Sequence, residues 1–233
     1  DDNGHGSHVA GIAAAATDNG VGIAGVAWGP RVMPVKVLNS YAVGFYSDIA
    51  AGVVYAADNG GRVLNLSLGG SMSSATLEAA LQYARARGAL IVAAAGNTGG
   101  TILYPASSQA TIAVGATAPD GSRADFSCAG PELDLVAPGV DIYSTWYRDN
   151  YFIKSGTSQA AAHVAGVAAL VWSIWPGWTA QEVEQALLLS AERLGEARPN
   201  PETGWGRLHA ARALSIRRAF VPVLSVSRPA GTL

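Results

Sequence analysis

Cysteine is almost missing. Cys128 is the single one in 233 residues, which excludes an internal disulfide framework and a cysteine-based zinc site. That count suits a cytosolic protein, or a secreted one large enough to need no staples. Charge is scarce as well: charged residues make up 14% of the chain and the formal net charge is −2. No like-charged run exceeds the length of Arg217-Arg218, so there is no polybasic arm, and no nucleic-acid partner is expected. Apolar runs long enough to span a membrane are also lacking. The longest, Ala160 to Trp175, contains His163, stops at Pro176, and falls short of the ~20 residues a span needs. It reads as a buried central helix. The chain opens on Asp1-Asp2-Asn3-Gly4 rather than on a basic and apolar leader.

What is abundant is small and apolar: 49% hydrophobic residues, 28 glycines and long alanine tracts. Helices lined with Ala and Gly can approach a sheet closely. The length suits one α/β domain with a full core. Helical patterns cover His8 to Ala16, Ser47 to Asp58 (stopped by Asn59-Gly60-Gly61), Ser74 to Arg87, Thr157 to Ile174, Ala180 to Ser190 and Arg207 to Ala219. Strand patterns cover Val32 to Leu38, Val63 to Leu68, Leu90 to Ala95, Thr111 to Thr117, Leu133 to Ala137 and Ile142 to Thr145. This alternation predicts a three-layer α/β fold, a mostly parallel sheet with helices on both faces. The expected division is one domain over 1–219 and a tail over 220–233. A short echo, His8 to Ala14 against His163 to Ala169, reads as two helices that both need small side chains for close packing.

Several short motifs are ambiguous alone. Gly20-Val21-Gly22-Ile23-Ala24-Gly25 fits the dinucleotide pattern, but a helical run precedes it and Pro30 follows, the wrong context for phosphate. His5-Gly6-Ser7-His8 lacks the spacing and glutamate of the helical zinc motif, so His8 is assigned a packed, hydrogen-bonded role. His5, between two glycines, can face solvent. Ser158, in Gly156-Thr157-Ser158, either caps a helix or uses the positive helix end for chemistry. Asn97 ends an apolar strand either as a turn residue or as an amide donor at the sheet rim.

Taken together, the segments Asn3-Gly4-His5-Gly6-Ser7-His8-Val9-Ala10-Gly11, Ser67-Leu68-Gly69-Gly70, Ala94-Ala95-Gly96-Asn97, and Gly156-Thr157-Ser158 with His163-Val164-Ala165-Gly166 occur in one order. In that order they closely resemble the subtilisin-like serine peptidases, or subtilases. The resemblance runs from about Asp2 to Leu214 and takes in Val136-Ala137-Pro138-Gly139.

It implies a serine endopeptidase acting on proteins or peptides, with Ser158 as nucleophile and His5 as general base. Asn97 and the Ser158 N–H would hold the oxyanion. Ser67, Leu68 and Gly69 would pair with extended substrate on one side, and Ala42, Val43 and Gly44 on the other. Ala94, Ala95 and Gly96 would wall the primary specificity pocket, with Thr98 at its rim and Leu103 near its base. All are uncharged, so apolar or uncharged residues are expected before the scissile bond. Thr17, Val21 and Ile23 carbonyls with the Asn19 side chain resemble the family's calcium loop. Tyr104-Pro105 matches a position that is often cis. Secretion, a monomeric state and a propeptide partner follow from the family alone.

Three departures stand out. The family's aspartate lies about 30 residues before its histidine, whereas four residues precede His5. Asp1 and Asp2 do not match that position, so the chain is expected to lack the strand carrying it. Gln159 follows the nucleophile where Met is usual, and Ala161-Ala162 stand in place of Ser-Pro or Thr-Pro. The missing aspartate motivates an alternative: a catalytically impaired, subtilase-shaped module that binds peptide.

Overall fold

The structure, a computed structural model, describes residues 1–217. The expected tail from Phe220 lies outside them. The chain runs α1 (His5–Ala14), α2 (Tyr46–Asp58), β1 (Val63–Leu66), α3 (Ala75–Ala86), β2 (Leu90–Ala94), β3 (Ile112–Thr117) and β4 (Leu135–Pro138). It continues through β5 (Ile142–Trp146), β6 (Asn150–Lys154), α4 (Thr157–Ile174), α5 (Ala180–Ser190) and α6 (Ala210–Ser215).

Strands β1 to β4 form one sheet in sequence order, and every pairing in it is parallel. Successive side chains on a strand point to opposite faces, and here that period sorts one strand between two cores. Leu90, Val92 and Ala94 join the core under α4 and α5, while Ile91 and Ala93 join the one under α2 and α3. β2 and β3 are buried throughout, which is why they read as unbroken apolar runs. Each fully buried leucine, such as Leu81 or Leu135, contributes about 1.5–3 kcal/mol.

Helix α4 crosses the sheet on small residues. Ala160, Ala161, Ala162 and Ala168 are wholly buried, so the helix lies close to β1 to β4. The echoed glycines both mark close approaches: a Cβ at Gly11 would fall 2.1 Å from Thr145 Oγ1, and one at Gly166 would fall 2.7 Å from Val26 Cβ. Local signals set the other helices. Ser74 Oγ accepts from Leu77 N–H to start α3, and Thr179 and Glu182 form a reciprocal capping box at α5.

Three expectations are corrected. Residues 32–38 form no strand, because none of the described strands pairs with them; β1, the sheet's edge, pairs with β2 alone. The apolar side chains there still pack: Val35, Val37 and Leu38 lie against the core under α2 and α3. β6 was not foreseen. It turns back on β5 through Arg148 and Asp149, both at positive φ (59° and 56°), without the Asn-Gly or Asp-Gly pair that flags a hairpin. The last described helix covers Ala210–Ser215 alone, the residues from 207 being drawn into bridges with Val136 and Glu192. Among the described residues no helix is long and apolar enough to cross a membrane.

Candidate active site

Ser158 sits in the first turn of α4, where backbone N–H groups lack intrahelical partners. Its Oγ donates to the Ser67 carbonyl at 3.4 Å, and its own carbonyl accepts from Ser67 Oγ at 2.8 Å. Asn65 Nδ2 donates in turn to Ser67 Oγ at 2.8 Å. The residue just past β1 therefore fixes the nucleophile's position. Asn65 and its role here were not legible from sequence.

Asn97 lies just past β2 and faces the same helix end. Its Oδ1 accepts from Thr157 N at 2.8 Å and from Thr157 Oγ1 at 2.9 Å. A backbone N–H can only donate, so the atom facing it is the oxygen, and Nδ2 remains as a donor. Thr157 Oγ1, wholly buried, also accepts from Gly96 N at 3.1 Å. This hydroxyl locks strand end to helix start, a role the Gly-Thr-Ser motif carried without its being recognised.

Leu103 and the Ala94 to Gly96 segment lie side by side. Leu103 N donates to the Ala95 carbonyl at 2.8 Å, which brings Leu103 beside Ala94, Ala95 and Gly96. Gly96 has φ +114°, and a Cβ there would fall 2.7 Å from Leu103 Cγ and 2.9 Å from Cys128 Sγ, so only glycine fits. Thr98 Oγ1 lies 3.2 Å from Cys128 Sγ. The Tyr104-Pro105 bond is cis. On the Ser67, Leu68, Gly69 segment, a Cβ at Gly69 would meet Leu103 Cβ at 3.2 Å, so segment and pocket share a wall.

Ala42, Val43 and Gly44 form no strand; they follow a turn at Ser40 and Tyr41. Ala42 has φ +59°, and both backbone groups of Val43 are held by Asn39, through Asn39 Oδ1 and Asn39 N. Asn side chains favour such turns, and this one leaves the Gly44 backbone to meet an extended chain. Tyr46, unforeseen, reaches across by donating its hydroxyl to the Met72 carbonyl at 2.6 Å.

His5 begins α1. Burial first, then the Lys154 charge and His8, hold its pKa below the ordinary 6.5, and none of these influences is a carboxylate. Asp1 is engaged elsewhere: its carboxylate accepts from Asn3 N, Gly4 N and Ser7 N, capping α1. Asp2 pairs with Lys36 at 3.3 Å. His8 is buried, as expected, and its Nε2 lies 3.1 and 3.0 Å from the Ile142 and Phe152 carbonyls. Carbonyls only accept, so Nε2 carries the proton, and Nδ1 is the atom 3.4 Å from Gln159 Nε2. With both ring nitrogens engaged, His8 cannot serve as a metal ligand.

In the 17–23 loop, Asn19 Oδ1 accepts from Val21 N at 3.0 Å. Thr17, Asn19, Val21 and Ile23 offer four neutral oxygens, fewer than the six to eight calcium takes.

The description "Subtilase family" matches residues 1–206. Subtilisin DY of Bacillus licheniformis is 46% identical over 202 residues, covering 84% of this chain and 73% of that protein. M-protease of Shouchella clausii is 48% identical over 196 residues, covering 84% of this chain and 51% of that protein. Among solved structures, a protease from Pseudoalteromonas arctica superposes with a TM-score of 0.83 at 35% identity, over 91% of this chain and 70% of that one. With the parallel sheet, the paired donors at the head of α4 and these relatives together, the chain belongs to the subtilase family, whose type is the subtilisin-like serine endopeptidase.

Proposed function

We propose that this chain supplies the nucleophile, the base and the oxyanion donors of a protein-cleaving site. Ser158 Oγ attacks the scissile carbonyl and passes its proton to His5, which then donates it to the departing amine. Water hydrolyses the acyl-enzyme by the same route in reverse. The observation that supports this most strongly is the lock between Asn97 Oδ1 and Thr157. It frees Asn97 Nδ2 to act with the Ser158 N–H on the developing oxyanion, and these donors need no reorganisation during reaction. Substrate would lie extended along Leu68 and Gly69, whose backbone groups enter none of the described backbone bonds, with Gly44 opposite. The uncharged walls at Ala94, Ala95, Gly96 and Leu103 favour an apolar side chain before the scissile bond. Secretion, calcium binding and a propeptide partner are proposed from the family alone.

A second reading rests on one observation: His5 has a lowered pKa and no carboxylate among its influences. A carboxylate from outside residues 1–233 would orient His5 and stabilise its imidazolium. Without it the same surface binds peptide and cuts slowly; in subtilisin itself the loss of that aspartate costs ~3 × 10⁴ in turnover. Turnover of an apolar-flanked quenched peptide, measured alongside Ser158→Ala, separates the two. Ser158-dependent cleavage at protease rates supports the first reading, and binding of a peptide without cleavage supports the second.

A further inference from the structure

In the proposed reaction His5 protonates the leaving amine, so the groups close to His5 meet the leaving peptide. The β5–β6 hairpin packs along α1, the helix that His5 begins. Ser144 Oγ donates to the His8 carbonyl and Thr145 Oγ1 to the Ser7 carbonyl, both at 2.8 Å, which lays the hairpin along α1. The Trp146 ring packs on Gly4, the residue before His5, so closely that a Cβ there would fall 2.3 Å from it. Phe152 leans on Trp146 with ring centroids 5.2 Å apart and is 53% exposed. Lys154 ends β6, four residues before Ser158, with Nζ 4.9 Å over the Trp146 ring.

None of the ion pairs among the described residues involves Lys154. Its charge reaches both His5 and His8, so it lies within electrostatic range of the base. A cation steadied on an aromatic face, half-buried and without a counter-ion, is a receptor for a carboxylate.

We infer that Lys154, held over Trp146 with Phe152 at its rim, is a specificity-determining residue that selects an acidic side chain within the first two residues of the leaving peptide. The inference rests on the proteolytic reading above. It extends recognition from the apolar pocket on one side of the scissile bond to a charged contact on the other.

The test uses quenched peptides with amidated C-termini that carry Glu or Gln at the first or second position after the scissile bond. For the unaltered protein, kcat/KM is expected to favour Glu by about three- to fivefold, the size of a partly exposed ion pair, with the preference shrinking as salt rises. In Lys154→Met the Glu/Gln ratio falls to about one, whereas Lys154→Arg keeps it. Lys36→Met, which removes a cation already paired with Asp2, leaves the ratio as in the unaltered protein. A ratio near one in the unaltered protein, or one that survives Lys154→Met, overturns the inference. Cleavage of the Gln peptide reports separately on the proteolytic reading. Should no peptide be cut, peptides beginning with Glu or Gln are titrated by NMR. Tighter binding of the Glu peptide that is lost in Lys154→Met upholds the site, and equal binding overturns it.

Discussion

The side-chain oxygen of Asn97 lies 2.8 Å from the Thr157 backbone nitrogen and 2.9 Å from its hydroxyl, so one amide both caps α4 and is turned to face substrate. The same threonine hydroxyl holds Gly96 N at 3.1 Å, where the strand end becomes the pocket wall. Nucleophile, oxyanion donor and specificity pocket therefore share one buried hydroxyl.

Replacing Thr157 by Val removes that hydroxyl at nearly constant volume and leaves Gly96 N without its partner. A buried donor so orphaned costs about 1–3 kcal/mol, and the loosened Asn97 amide should lower kcat by roughly tenfold with KM little changed. Thermal melting and steady-state kinetics check the two effects. Asn97→Ala should lower kcat further, by ~10²–10³, a magnitude carried over from subtilisin. Unchanged kcat in Asn97→Ala would remove the amide from the mechanism.

Gln159 is 1% exposed and reaches towards His8, in the place where the family usually has an oxidisable methionine. An amide has no thioether to oxidise, so mild peroxide should leave Ser158 reactive, whereas Gln159→Met should become peroxide-sensitive. Fluorophosphonate labelling before and after peroxide measures both. Loss of labelling in the unaltered protein would contradict the assignment.

Three histidines, His5, His8 and His163, have pKa values lowered from 6.5, each chiefly by burial. A lowered folded value means that the unfolded chain binds protons first as pH falls. Their contribution to stability is complete above about pH 6.5 and is lost as pH drops through the folded values. Melting temperature should thus fall on acidification below that point, and His163→Gln should make the fall shallower. A melting temperature flat from pH 7 to about 5 would contradict this.

Adding a methyl group at Gly96 collides with Leu103 and Cys128 and forces φ +114° on an L-residue. Gly96→Ala should destabilise the fold by about 1–3 kcal/mol and fill the pocket, shifting cleavage towards smaller side chains before the scissile bond. Denaturant unfolding and a peptide library read the two outcomes separately.

Much of this site was legible because its parts lie in short contiguous motifs whose chemistry needs those residue types. Gly96, Asn97 and the Thr157-Ser158 turn meet through the Thr157 hydroxyl, joining two of those motifs. The boundaries of α4 and α5 were legible too, since Gly156, Trp175 and the Thr179–Glu182 box punctuate them. What escaped depends on partners distant in sequence. The strand expected at 32–38 has the apolar alternation of a strand but no ladder partner, and periodicity cannot supply one. Ala42, Val43 and Gly44 were expected to flank extended substrate, and the bonds by which Asn39 holds Val43 after the turn at Ser40 and Tyr41 are visible only in three dimensions. β6 and the Lys154–Trp146 stack arise from a hairpin whose turn residues give no Gly or Asn-Gly signal. The Asp1 carboxylate caps α1 instead of meeting His5, a choice that adjacency in sequence left open.

The most direct measurement is fluorophosphonate labelling of the folded chain, with the adduct located by peptide mass spectrometry. The account predicts one adduct, on Ser158, absent from Ser158→Ala and formed more slowly in Asn97→Ala. A folded chain that takes up no label, or labels equally well without Asn97, would contradict an assembled nucleophile and oxyanion site.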